Sequence, residues 1–190
     1  MSRRGIPAAA LAALALLAPA RASAENFAMA VTMGESYRYL SPWDVGDPTT
    51  TFGLQFASLD SDLDILVGAA IGRNWGGSLD SAGTASFDFR LRLHGDYNDY
   101  DILFGYFLWG ASYRHLWAKG APEMAGPPAV PATWTTRSEF DVTLGGGYVL
   151  LADDNFYFDF LVHVDAGLMW PEADWAAGGG VDLALGFYSL

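Results

Sequence analysis

The stretch Phe87-Asp88-Phe89-Arg90-Leu91-Arg92-Leu93-His94 places an apolar residue at every odd position and an ionisable one at every even position. Wound as an α-helix it would scatter charge over all faces. Extended, it has one greasy face and one charged face, because successive side chains of a strand point to opposite sides. A period of two therefore predicts a β-strand at about 85–94.

The same alternation recurs on both sides of it. Phe27, Met29, Val31 and Met33 mark a strand at about 26–39; Phe52, Leu54 and Phe56 one at about 50–58; Leu63, Ile65, Val67 and Ile71 one at about 63–73. Beyond it come strands at about 100–116, with Ile102, Phe104, Tyr106 and Leu108 as the apolar face, and 137–150, with Phe140, Val142, Leu144 and Tyr148. The last two are about 156–169, with Phe156, Phe158, Phe160, Val162 and Val164, and about 179–189, with Val181, Leu183, Leu185 and Phe187. The segments 40–49, 74–84, 117–136 and 170–178 are expected as long loops. Turns are expected at Ser58–Asp62, Gly95–Asp99 and Ala152–Asn155, whose Asp, Asn, Gly and Ser suit turn dihedrals. The long loops then share one end of an up-and-down meander.

Residues 1–24 read as a cleaved secretory signal peptide: Arg3 and Arg4, an apolar run from Ala8 to Ala20, then Ala22-Ser23-Ala24 before Glu25. The run is short of the roughly 20 residues of a membrane-spanning helix. Residues 25–190 are the expected folded domain. The full chain has 22 acidic and 10 basic residues, a net charge of −12, and no cysteine. That balance argues against nucleic acid, whose phosphates need clustered Lys and Arg. The absence of thiols excludes disulfides, thiol catalysis and cysteine-ligated zinc.

Eight antiparallel strands with one apolar face close into a barrel, which removes exposed edges. The Phe, Leu, Ile and Val of the apolar faces overfill an eight-stranded interior, whereas the Gly, Ala, Ser and Thr of the other faces suit it. Tryptophan gathers at the loop end, as Trp43, Trp75, Trp117, Trp134, Trp170 and Trp175, while Tyr97, Tyr100, Phe156 and Tyr157 flank the turns. Two aromatic belts are what a bilayer interface selects. The apolar faces are therefore expected to meet lipid. The expected class is an all-β, eight-stranded antiparallel up-and-down transmembrane β-barrel.

In its signal peptide, its eight alternating strands and its terminal strand, the chain resembles the small outer-membrane β-barrels of Gram-negative bacteria, of the OmpA transmembrane domain and OmpX type. The resemblance is architectural and implies long loops outside, short turns in the periplasm, contact with outer-membrane lipid and lipopolysaccharide, a monomer, and recognition by the barrel assembly machinery. Members typically end on an aromatic; here Phe187 and Tyr188 precede Leu190.

With the apolar faces on lipid, the lumen is expected to hold Asp64, Asp88, Arg90, Arg92, His94, Asp101, Glu139, Asp141, Asp159, His163, Asp165 and Asp182. Enclosed charges must be paired or hydrated, so Arg90 and Arg92 are expected to pair with carboxylates of strands 6 and 7. No catalytic residues are assigned. A lipid-A deacylase would need a histidine, a serine and an acid, but no His-x-Ser occurs, and Ser112 and Ser138 could serve only through strand neighbours. Neither metal nor cofactor is expected: His94, His115 and His163 lie on different strands, and Asp60, Asp62 and Asp64 lack the glycine and glutamate of a calcium loop. The expected role is structural or surface-interacting, with a narrow pore left open. The alternatives are that deacylase and a soluble lipocalin-like periplasmic carrier.

Overall fold

The computed structural model describes residues 26–40, 45–60, 62–74, 83–95, 103–119, 134–152, 155–171 and 173–189. They form eight strands: β1 Phe27–Leu40, β2 Val45–Ser58, β3 Leu63–Asn74, β4 Gly83–His94, β5 Leu103–Lys119, β6 Trp134–Ala152, β7 Phe156–Trp170 and β8 Asp174–Ser189. Each pairs antiparallel with its sequence neighbour, and β8 pairs with β1 to close the barrel. The register is staggered. Stepping through Cα partners from Met29 by way of Phe56, Val67, Phe89, Ala111, Val142, Ala166 and Ala177 returns to β1 at Tyr39, ten residues above the start. Such a shear requires the strands to tilt, by about 35–45° in closed barrels.

The alternation fixes which side faces where. Phe87, Phe89 and Leu93 point outward and are exposed, whereas Asp88, Arg92 and His94 are buried inside. The exposed apolar set continues around the wall with Val31, Phe52, Ile71, Val142, Val164 and Leu185. A surface this apolar is stable only against hydrocarbon. A soluble carrier, whose apolar face would point inward, is thereby excluded.

Two expectations need correction. Strand 5 has the opposite facing: Leu108 is 1% exposed and Tyr106 is buried, while Phe107 is 52% exposed and Leu103 also faces out. Both faces of this segment are apolar, so alternation alone could not choose. The inward direction is set farther along by Ser112 and Arg114, of even parity like Tyr106. The loops are also shorter than expected. β2 begins at Val45 and β8 at Asp174, so only residues 41–44 separate β1 from β2, and 171–173 separate β7 from β8. Strand pairing there continues through Pro48 and the glycines Gly178 to Gly180. The loop-end connections 75–82 and 120–133 remain the longer ones. At the other end Asn155 has a φ of 64°, a left-handed turn conformation that asparagine tolerates.

The aromatic ring at the loop end includes Trp117, Trp170 and Trp175, all on outward positions, with Trp175 packed at a tilt against Tyr39, ring centroids 5.1 Å apart. Trp43, Trp75, Tyr97, Tyr100 and residues 1–24, expected as a signal peptide, lie outside the described residues, as does the side chain of Trp134. Tyr157 does not join the turn-end belt; it is fully buried in the lumen, whereas Phe27, Phe156 and Phe187 face out. Replacing Phe89, at mid-strand, with Arg should cost about 2–4 kcal/mol of stability in lipid, against about 0–1 kcal/mol for Tyr37→Arg near the rim. Urea titration of vesicle-folded protein measures both, and equal costs would place the lipid band elsewhere.

Candidate functional site: a charge-filled lumen

The inward faces of all eight strands meet at the barrel axis, and their charges sort by height. Lowest is Arg92 on β4, which is 0% exposed. Its guanidinium lies 2.6 Å from Asp64 of β3 and 2.9 Å from Asp159 of β7. The same group donates to the Tyr157 hydroxyl at 2.7 Å, and the Tyr106 hydroxyl donates to Asp159 at 2.6 Å. His94 completes this tier with Nε2 3.3 Å from Asp64.

Arg90 occupies the middle, between Asp88 of its own strand at 3.0 Å and Asp182 of β8 at 3.2 Å. Room for both carboxylates comes from missing side chains. A Cβ at Gly68 would lie 2.5 Å from Asp88, and one at Gly34 would lie 2.2 Å from Asp182.

The upper tier centres on Arg38 of β1, which contacts Glu139, Asp141 at 2.7 Å and Asp165 at 3.1 Å. Ser112 donates to Asp141 at 3.3 Å and Thr143 to Asp165 at 2.8 Å. His163 joins the two upper tiers, with Nδ1 3.2 Å from Asp165 and Nε2 3.5 Å from Asp182. Each arginine thus links strands remote in sequence. One charge surrounded by two or three opposite charges, with hydroxyls taking up the remaining lone pairs, is the arrangement that makes buried ions tolerable.

Buried apolar side chains lie toward both ends, joined at the loop end by Thr49, Thr84 and Arg137. Below the lowest tier lie Ala28, Ala57, Leu59, Val149 and Leu151. Above the upper tier Leu40, Leu116, Met169 and Ala176 are buried. Between them a cavity of about 60 Å³ is bordered by Thr32, Thr51, Ser86, Arg90 and Arg114. That volume holds a few waters.

Asp64, Asp88, Arg90, Arg92, His94, Glu139, Asp141, Asp159, His163, Asp165 and Asp182 therefore all point into the lumen, while Asp101 lies outside the described residues. The expected partnership with strands 6 and 7 applies to Arg92, through Asp159. It fails for Arg90, whose carboxylates come from β4 and β8. The acids of β6, with Asp165 of β7, belong instead to Arg38, which the sequence reading missed. Its even position in β1, opposite in parity to Val31 and Met33, was the available signal.

Ser112 donates to Asp141, and among the described residues no histidine bonds it. Ser138 faces outward, with its Oγ 3.4 Å from His115 Nδ1 and 2.9 Å from the Tyr113 hydroxyl. Among the described residues no carboxylate bonds this pair, and no group of three His, Asp or Glu side chains is placed to hold a metal ion.

Arg92→Met should cost about 3–5 kcal/mol, because it leaves Asp64 and Asp159 buried without a counter-charge. Adding Asp64→Asn and Asp159→Asn should recover more than half. Arg90→Met should cost less, since Arg90 and Asp182 both border the cavity and can hydrate. Urea unfolding in lipid tests the series; no recovery in the triple variant would show that pairing is not what limits stability.

No family model and no curated protein sequence matches the chain. Solved structures of the same architecture do. Ail, the attachment invasion locus protein of Yersinia pestis, superposes with a TM-score of 0.53 at 15% identity, covering 86% of this chain and 98% of Ail. Neisserial surface protein A gives 0.57 at 8% identity, covering 85% and 97%. OprG from Pseudomonas aeruginosa gives 0.51 at 11% identity, covering 87% and 95%. Closed topology, outward apolar wall and these likenesses together give the chain the fold of the small eight-stranded outer-membrane β-barrels.

Proposed function

We propose that this protein, after loss of residues 1–24, is a monomeric outer-membrane barrel with a sealed lumen, serving a structural or surface-contact role rather than conduction. The observation that carries this reading is the lumen itself, crossed by Arg38, Arg90 and Arg92, each held by carboxylates of other strands. An ion entering would have to displace those pairs. Closure leaves no unpaired strand edge for a second copy, which supports a monomer. The β8 end, with Phe187 and Tyr188, supports recognition by the assembly machinery.

A surface role is supported by the heights of the strands. About 9–11 tilted residues cross a bilayer. β5 and β6 have 17 and 19, so their hairpin projects past the rim at the end that carries the tryptophans. The names of two structural neighbours, an attachment protein and a surface protein, fit such a role. Wild-type protein in planar bilayers should show no stable open-channel steps. Steady ohmic conductance would overturn the sealed-lumen reading.

A further inference from the structure

His163 stands on the inward face of β7 and is 7% exposed. Its Cα partners are Gly145 on β6 and Gly180 on β8, so neither neighbour sets a side chain beside the ring. Nδ1 lies 3.2 Å from Asp165 Oδ1, and Nε2 lies 3.5 Å from Asp182 Oδ2. Among the described residues no other group bonds either nitrogen.

A neutral imidazole has one N–H donor and one bare lone pair. In either tautomer that lone pair would point at a carboxylate. Nor do the facing oxygens hold the proton, for they already accept. Asp165 Oδ1 takes the Thr143 hydroxyl at 2.8 Å, and Asp182 Oδ2 takes Arg90 at 3.2 Å. Only the imidazolium, with two donors, suits both contacts.

The surrounding charge agrees. Asp165 stands on β7 itself and Asp182 on β8; β6 brings Glu139 and Asp141, and β4 brings Asp88. The cations facing them are Arg38 of β1, Arg90 of β4 and Arg114 of β5. β2 and β3 add only uncharged groups at this height, among them Thr51, Gly68 and Ala70. Five carboxylates thus meet three guanidinium groups, and enclosed charges must be compensated. His163 touches one carboxylate of the Arg38 tier and one of the Arg90 tier, where a further positive charge serves both.

We propose that His163 is held as the imidazolium in the folded barrel, a proton-filled clasp between the middle and upper tiers. The charge network is then complete only while that proton is bound, and base loosens the plug. The inference deepens the sealed-lumen reading and rests on it.

The test is urea unfolding of the full mature barrel in lipid vesicles at pH 7 and pH 8, wild type against His163→Gln. Nitrogen-15 spectra of the histidine side chains are read in parallel on detergent-folded protein at pH 8, where a histidine of the unfolded chain is neutral. The spectra should show a histidine with both ring nitrogens protonated. That signal should persist in His94→Gln and in His115→Gln, which assigns it to His163 without a variant at that position. The wild-type folding constant, divided by that of His163→Gln, should fall about tenfold from pH 7 to pH 8, because the folded state keeps a proton that the unfolded chain has lost. Adding Asp182→Asn to His163→Gln should recover part of the lost stability. A single N–H on that ring at pH 8, or a ratio that does not change with pH, would overturn the clasp and leave the sealed lumen standing. Ohmic conductance of wild type in planar bilayers would instead strike the sealed-lumen reading.

Discussion

An ionised side chain enclosed in a membrane-spanning barrel must find its counter-charge within that barrel, and this requirement organises the rest of the structure. Arg92 and Asp64 are both 0% exposed. Left alone, either would cost several kcal/mol. Pairing them across strands joins β3, β4 and β7, and the Arg38 cluster joins β1, β6 and β7 in the same way. Neutralisation and closure are thus one event. The charges are satisfied only when the strands have met in the observed register, since a slip of one residue would turn a strand's inward charges outward and bring its lipid-facing side chains in.

The lumen is divided by side-chain size as well as by charge. At mid-height on β1 to β3 several inward residues are small, among them Thr32, Gly34, Ser36, Thr51 and Gly68, and the cavity lies beside them. β5 to β7 supply the long ones, Tyr106, Arg114, Glu139 and Tyr157. An eight-stranded barrel has little free bore, so bulk on one side demands absence on the other. The carboxylates of Asp182 and Asp88 occupy the space that side chains at Gly34 and Gly68 would have filled.

Much of this was legible because a strand in a barrel wall has two solvents. Where one face was plainly ionisable, as in β4 and β7, facing and strand limits followed from period two. Where both faces were apolar, as at Leu103 to Trp109, the pattern had no preferred phase, and Tyr106 and Arg114 were assigned to no site. Arg38 was overlooked for a different reason: it lies high in β1, past the run of Phe27 to Met33 whose alternation is easiest to see. Pairing partners were the least legible feature. Which carboxylate meets Arg90 depends on the stagger that brings β8 alongside β1, and no local pattern encodes that. Loop lengths were misjudged where polar residues and glycines continue a paired strand above the lipid band, for pairing there no longer needs an apolar face.

The central claim is the phase of β4: odd positions in lipid, even positions on the axis. The chain has no cysteine, so single cysteines can be placed freely and labelled with nitroxide in vesicle-folded protein. Labels at Phe87→Cys, Phe89→Cys and Leu91→Cys should be relaxed strongly by dissolved oxygen and weakly by a water-soluble nickel chelate. A label at Ser86→Cys, beside the cavity, should lose that oxygen response. The reverse ordering along β4 would contradict the account.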